Sequence, residues 1–335
     1  MATSNSYTFY DTTQSIVYDS MMFLGYLGDN ETPSDGDYSL AVRTLNRMTK
    51  SVMLKNDSSP GMKMWLRETG YCFLQSNAGQ YTLSAKSQGW TNTFSDTNAR
   101  GTNLVGQNTL VVVSTSGIQQ NNAIGLLLDN NTLQWTTVAN VVSGNTLTLA
   151  NNLAFGMNGN GIVYSYANAA LPPQVINWIN LRDQNGNDVF VEILTYEEYE
   201  ALPSKNSPIY QGDPVAVYYE SHLVGGLGSG YGLLNTDVNG SIDLTKYLVV
   251  NYVREIQDWV NPADEPDFPK EWNLALVYNL AKHLSPSFNM NWTQLQDNLA
   301  NEALATAKSA NPLRLSYKFS RRGATGGTFR NIPHR

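Results

Sequence analysis

The sequence predicts an α+β protein: a helical core domain with a small antiparallel sheet, carrying an inserted antiparallel β barrel or sandwich and ending in an extended C-terminal arm. Three observations lead there. Apolar residues repeat at helical spacing near both ends of the 335-residue chain. Between Ser87 and Ala170 only Asp96, Arg100 and Asp129 are charged, against 46 charges in the rest of the chain, and short β-rich runs alternate there with turn signals. The end of the chain, Pro312 to Arg335, holds six basic side chains and no acid. The expected organisation is therefore 1–86 with 171–311 as a discontinuous helical α+β domain, 87–170 as the inserted all-β module, and 312–335 as the basic arm.

Taken in order, Asp11 with Gln14, then Ile16, Val17, Met21, Leu24 and Leu27 before Gly28, give the cap, spacing and stop of an amphipathic helix. A second helix is expected from Asp37 to Lys55, with Leu40, Ala41, Leu45, Met48 and Val52 on one face. In the charge-poor module the expected strands are Thr109–Val113, Ile124–Leu128, Leu133–Val138, Thr146–Leu149 and Ile162–Tyr166. Their turns fall at Ser116-Gly117, Asp129-Asn130-Asn131, Ser143-Gly144-Asn145 and Asn158-Gly159-Asn160-Gly161, residues that tolerate positive φ.

Beyond the module, Val175–Leu181 and Asp188–Leu194 flank Asp183-Gln184-Asn185-Gly186 as a hairpin, and Thr195 with Glu198 opens a short helix as a capping box. Strands are expected at Val215–Glu220 and Tyr247–Val253. Between them Gly225, Gly226, Gly228, Gly230 and Gly232 follow in close succession, which reads as a flexible loop. Pro269 suits a first helical position, with Trp272, Leu276, Leu280 and Leu284 on one face until Ser285-Pro286. Leu295, Leu299, Ala303 and Ala307 repeat the pattern until Asn311-Pro312.

Only 15% of residues are charged, where an average domain has about a quarter, yet 37 are Asn, so the polarity is neutral. The opening MATSNSYTFYDTTQ has no basic region or apolar stretch of signal-peptide length, and no 18 apolar residues run together; no membrane partner is expected. Cys72 is the single cysteine, which excludes an intrachain disulfide and a CxxC motif. The net charge of −7 argues against a general nucleic-acid coat.

That total hides a split: the arm is +6, and the rest, with 15 basic and 28 acidic residues, is −13. In the arm, Arg314, Lys318, Arg321, Arg322 and Arg330 are interleaved with Leu315, Tyr317, Phe319 and Phe329. A merely solvating tail does not require such apolar anchors, so the pattern is read as an arm that orders on an acidic or polar partner.

Catalytic chemistry finds few groups. His222, His283 and His334 are far apart without HExxH or HxxxH spacing, and neither GxSxG nor a Walker pattern occurs. The glycine-rich stretch misses GxGxxG because Tyr231 stands at its last glycine. No metal, no cofactor and no enzyme activity are therefore expected. Glu197, Glu198 and Glu200 invite a glycosidase reading, but acids at a helix start also suit its cap and dipole. Trp90 and Trp135 in an Asn-rich module invite sugar stacking, and core packing competes with it.

Several residues in order carry a family likeness: Leu45-Asn46-Arg47-Met48, then Lys205, Gly212-Asp213-Pro214 and Val217-Tyr218-Tyr219-Glu220, then Tyr252-Val253-Arg254 and Pro269-Lys270-Glu271-Trp272. Their order and spacing resemble head-to-tail adaptors of short-tailed bacteriophages, also called tail accessory factors or packaged-DNA stabilisation proteins. The β module is larger than in the simplest members, and the glycine-rich loop stands where a proline-bearing strand link is expected. The resemblance implies a structural virion protein at the head–tail interface, assembled in the host cytoplasm. It implies a homo-oligomeric ring, a dodecamer, that docks on the portal protein through its C-terminal arm. That ring extends the channel for packaged double-stranded DNA and meets the tail nozzle or other tail proteins, with the loop of Gly225, Gly226, Gly228, Gly230 and Gly232 as a possible tail contact. The competing readings are a virion-associated carbohydrate-binding or peptidoglycan-hydrolysing tail protein, or a terminator or nozzle ring.

Overall fold

The computed structural model describes residues 11–54, 66–142, 144–203, 205, 209–222 and 231–309, with backbone alone at 52–54, 222 and 231. It is mixed α+β and mostly sheet. Five helices, α1 (Thr13–Leu24), α2 (Asp35–Leu54), α3 (Tyr196–Glu200), α4 (Asn273–Leu284) and α5 (Gln294–Ser309), accompany fourteen strands among the described residues. The chain divides into two compact units, Met1–Met64 with Asp258–Arg335, and Trp65–Gln257. Helices from the two chain ends thus share one unit, and the sheet expected beside them lies in the other, together with the β module.

In the helical unit, α1, α2 and α5 pack around α4, whose Leu280, Ala281 and Leu284 are fully buried. The cap of α1 is Thr12 rather than Asp11. Its hydroxyl accepts from Ser15 N at 3.3 Å while Ser15 Oγ accepts from Thr12 N at 2.8 Å, a box that the three-residue offset from Thr12 closes. The helix stops at Gly25 rather than Gly28, because Gly25 takes φ +79° and turns its N–H onto the last carbonyls. Helix α2 starts at Asp35 rather than Asp37, because Ser34 caps it by accepting from Asp37 N at 3.2 Å. Pro269 leads into a single 3-10 turn, Lys270–Trp272, ahead of α4. Phe23 stacks on Tyr278 at 4.2 Å and Tyr26 on Phe288 at 4.1 Å, so aromatic faces complete the seams of the unit.

In the other unit the strands are β1 (Arg67–Phe73), β2 (Gln80–Leu83), β3 (Trp90–Thr91), β4 (Ser95–Asn98), β5 (Thr109–Val111), β6 (Ala123–Leu127), β7 (Leu133–Val142), β8 (Thr146–Leu149), β9 (Ile162–Tyr166), β10 (Pro173–Arg182), β11 (Asp188–Leu194), β12 (Ala216–His222), β13 (Tyr231–Thr236) and β14 (Tyr247–Arg254). Eight form one sheet in the order β2-β13-β12-β11-β10-β14-β1-β3, and six form another in the order β4-β9-β6-β7-β8-β5. The six-stranded sheet, built from the charge-poor segment, has its own core of Leu110, Val112, Ile124, Leu126, Val138, Leu147 and Val163.

The eight-stranded sheet is barrel-like, and chain length alone explains its curl. Its edge strands, β2 and β3, are consecutive, and the link from Leu83 to Trp90 reaches at most about 24 Å. Eight flat strands would be about 34 Å wide at ~4.8 Å spacing, so the sheet must bend. The parallel pair β11–β12 needs a crossover, and α3 supplies it.

The two sheets meet in an aromatic joint. Phe73, 2% exposed, touches Tyr164 at 4.4 Å, Phe94 at 5.2 Å, Trp135 at 5.5 Å and Tyr247 at 5.7 Å between ring centroids. Hydrogen bonds tie the same border: Gly89 N donates to Tyr166 Oη at 2.8 Å, Tyr164 Oη to Thr245 O at 3.3 Å, and Asn131 Nδ2 to Ile242 O at 2.7 Å. Truncating Phe73 removes a ring shared by both sheets and opens a cavity. Phe73→Ala is expected to destabilise the protein by about 3–5 kcal/mol, read as the change in urea unfolding free energy.

Candidate functional site

The residues singled out by sequence divide sharply. Arg314, Leu315, Tyr317, Lys318, Phe319, Arg321, Arg322, Phe329 and Arg330 of the arm, and Gly225, Gly226, Gly228 and Gly230 of the loop, lie outside the described residues. Gly232, expected in that loop, is the second residue of β13, in register with Leu83 and Ser221. A side chain there would collide with the Tyr219 ring, which lies across the strand to donate its hydroxyl proton to Pro173 O. Close approach, not loop freedom, explains this glycine.

Most of the positions that carry the family likeness hold the scaffold together. Leu45 and Met48 are buried on α2, while the Asn46 amide clamps the backbone of Trp259, donating to its O and accepting from its N, both at 3.0 Å. Lys205 closes α3: its ammonium donates to the carbonyls of Tyr199 at 2.9 Å and Glu200 at 3.0 Å, and sits 4.7 Å above the Tyr199 ring. Asp213 pairs with Lys246 at 2.5 Å, anchoring the approach to β12. On β12, Val217 is fully buried and Tyr218 stacks on Tyr199 at 5.5 Å. On β14, Arg254 Nε donates to Glu68 Oε1 at 2.7 Å and Tyr252 Oη to Glu68 Oε2 at 3.0 Å, a network that links β14 to β1.

The candidate chemical groups take plain structural positions. Glu198 accepts from Thr195 N at 2.9 Å and from Thr195 Oγ1 at 3.0 Å, completing the expected capping box. Those bonds hold its carboxyl below the usual range, whereas a general acid needs the opposite shift. Trp90 is fully buried over Gly70, where any side chain would strike its ring, and Nε1 donates to Leu171 O at 3.3 Å; it is no surface platform. Trp135 packs over Gly125 and against Phe73. Burial pushes the Cys72 thiol up to about 12, so it is protonated and unreactive at neutral pH. Among the described residues no group of three His, Cys, Asp or Glu side chains is placed to hold a metal ion, and no helix is long and apolar enough to cross a membrane.

Sequence reasoning missed one concave feature. Between α1 and the start of α2 runs a groove of about 660 Å³, lined by Tyr18, Asp19, Asn30, Asp35, Tyr38 and Pro262 among others. Its residues come from three separate stretches of chain, none with a motif, so no sequence signal marks it. The Tyr38 hydroxyl is buried there without a hydrogen-bond partner. Partial desolvation, with Asp11 nearby, pushes the Asp19 carboxyl up.

On the β10–β11 hairpin, Arg182 grips Asp188 through two bonds of 2.7 Å, which hold the Asp188 carboxyl below its ordinary 3.8. An acid with a depressed folded pKa contributes stability that is full above its unfolded value and is lost as pH falls through the folded one. Asp188→Asn should therefore lower the urea midpoint at neutral pH and flatten its decline below pH 3.8, compared across an acid titration of both proteins. Cys72 should stay unmodified by a thiol reagent in native buffer and react fully in denaturant. No protein-family model matches the chain, and no curated protein matches it.

Proposed function

We propose that the chain is a structural virion protein, a head-to-tail adaptor that docks on the portal of a filled phage capsid. In this reading identical copies form a ring, a dodecamer, extend the DNA channel and present a platform to the tail nozzle. The observation that carries it is the charge split, +6 from Pro312 to Arg335 against −13 elsewhere. The family likeness of the scaffold positions supports it.

The split suits both tasks. Packaged DNA must halt when filling ends and slide when infection begins, so a channel wall gains from few Lys or Arg contacts, each of which adds affinity through counterion release. The acid excess is spread evenly. Without the arm, the helical unit's sequence holds eight basic and fourteen acidic residues, and the sheet unit holds seven and fourteen. Either unit can therefore face DNA without holding it. The charge-poor β module, with its Asn-rich surface, suits the outside of a large assembly, where neutral side chains keep it soluble without a strong field. The arm, cationic and studded with aromatics, grips the portal.

Deleting Pro312 to Arg335 should weaken portal binding more than about a hundredfold in co-sedimentation. The helical circular dichroism of the remaining chain should persist, since the described helices all lie before the deleted segment. Because ring formation in this reading needs the arm on the portal, the free chain should sediment as a monomer and form rings only on portal, visible by electron microscopy. Stable rings from the chain alone, or a lumen lined by Lys and Arg, would contradict the proposal.

A further inference from the structure

We propose that the groove between α1 and α2 is a seat for the chain's own basic arm, Pro312 to Arg335, which it holds while the subunit is free. The geometry offers a cationic peptide what it needs. Asp19 and Asp35 line the groove, and Asp11 lies near Asp19; among the described residues no Lys or Arg lines it. Neither Asp19 nor Asp35 has an ion pair or side-chain hydrogen bond among the described residues. An acid in the first turn of α2, such as Asp35, is already favoured by the helix dipole. Asp19 lies beyond the first turn of α1, has no such partner, and is exposed to solvent, so its carboxylate is open to a guanidinium. The rings of Tyr18 and Tyr38, both lining the groove, add faces for cation–π contact.

Charge and chain length both select the arm as occupant. It carries six cations without one acid, interleaved with apolar anchors. It leaves from the same unit that carries the groove, since α5 ends at Ser309 and the chain runs on to Arg335. Extended, that stretch spans up to about 85 Å, whereas a compact unit of this size is only about 40 Å across. Every point on the unit's surface is therefore within reach. A tether of this length gives an effective concentration near the millimolar range, so at micromolar protein the chain's own arm outcompetes a neighbour's. The seat would keep a sticky cationic segment off nucleic acid until a stronger acidic surface takes it.

The test uses the full chain, and no portal. Cys72 is buried, so two introduced cysteines can be read cleanly. Thr32→Cys at the groove and Ser316→Cys in the arm should form an intramolecular disulfide under mild oxidation. The reaction should run about tenfold faster than with the groove substitution replaced by Ser287→Cys, at an exposed position of the same unit. Asp19→Asn with Asp35→Asn should erase that advantage, as should about 1 M salt, where the screening length is only ~3 Å. Arg321→Ser with Arg322→Ser, which leaves the groove intact, should reduce it too. Equal rates at both sites, indifference to the acids, or disulfides only between copies would overturn the proposal. Since the assay contains no portal, its failure would leave portal docking standing, and loss of portal docking would leave it standing.

Discussion

The larger unit depends on the Phe73 ring, because that ring packs against aromatic side chains of both sheets at once. The joint of Phe73, Phe94, Tyr164, Trp135 and Tyr247 is non-directional in its burial but specific in its ring geometry, so it fixes an angle as well as adding stability. Three hydrogen bonds around its rim then fix register. The consequence is that the charge-poor module is no loosely tethered appendage. It extends the fold of the eight-stranded sheet, and the shortness of the Ser84–Gly89 link, which curls that sheet, brings Trp90 over Gly70 in the same stroke.

Neutral polarity is what such a module needs locally. Among the described residues all seven non-glycine residues with positive φ are asparagines, and four of them, at 121, 131, 145 and 160, lie in the module. Asparagine tolerates the left-handed region because its short amide can bond nearby backbone. The amides also do the pinning, as Asn131 does to Ile242, Asn145 to Val113 and Asn158 to Asp129. Part of an abundance that resembles a sugar-binding surface in sequence is thus turn chemistry. It leaves the module's outside polar but nearly uncharged.

Legibility follows locality. Thr146–Leu149 and Ile162–Tyr166 appear with the expected ends, and so do the Asp183–Gly186 hairpin turn and the Thr195–Glu198 box, because turn and cap chemistry is written in neighbouring residues. Strands β1, β2, β3, β4 and β13 carry no such signal. Ser-Asp-Thr-Asn of β4 has no apolar residue, and β13 begins inside the glycine-rich run. Their strand state comes from partners far along the chain: β13 pairs with β2, so that Leu234 lies opposite Tyr81. The cap of α1 falls one residue from its expected place because two candidates stand side by side and only the offset to Ser15 decides between them. The α1–α2 groove leaves no local mark for a related reason, since its lining is assembled from residues 12 to 38 and Pro262.

Electrostatics then sets what the folded body can and cannot neutralise by itself. Lys50, Arg182, Lys205, Lys246, Arg254 and Lys282 are each committed to an acid in an ion pair. These pairs are short-range, and beyond about 8 Å at physiological salt they cancel to nothing. The acids left over, thirteen more than the bases outside the arm, have no intramolecular cation to meet except between Pro312 and Arg335. Self-repulsion of that excess opposes close packing of like subunits, so a ring of such bodies is favoured only when cations are brought to it. The proposed groove seat and the proposed portal contact both draw on the six positive charges between Pro312 and Arg335 to meet that excess, so the arm and the body form one electrostatic system.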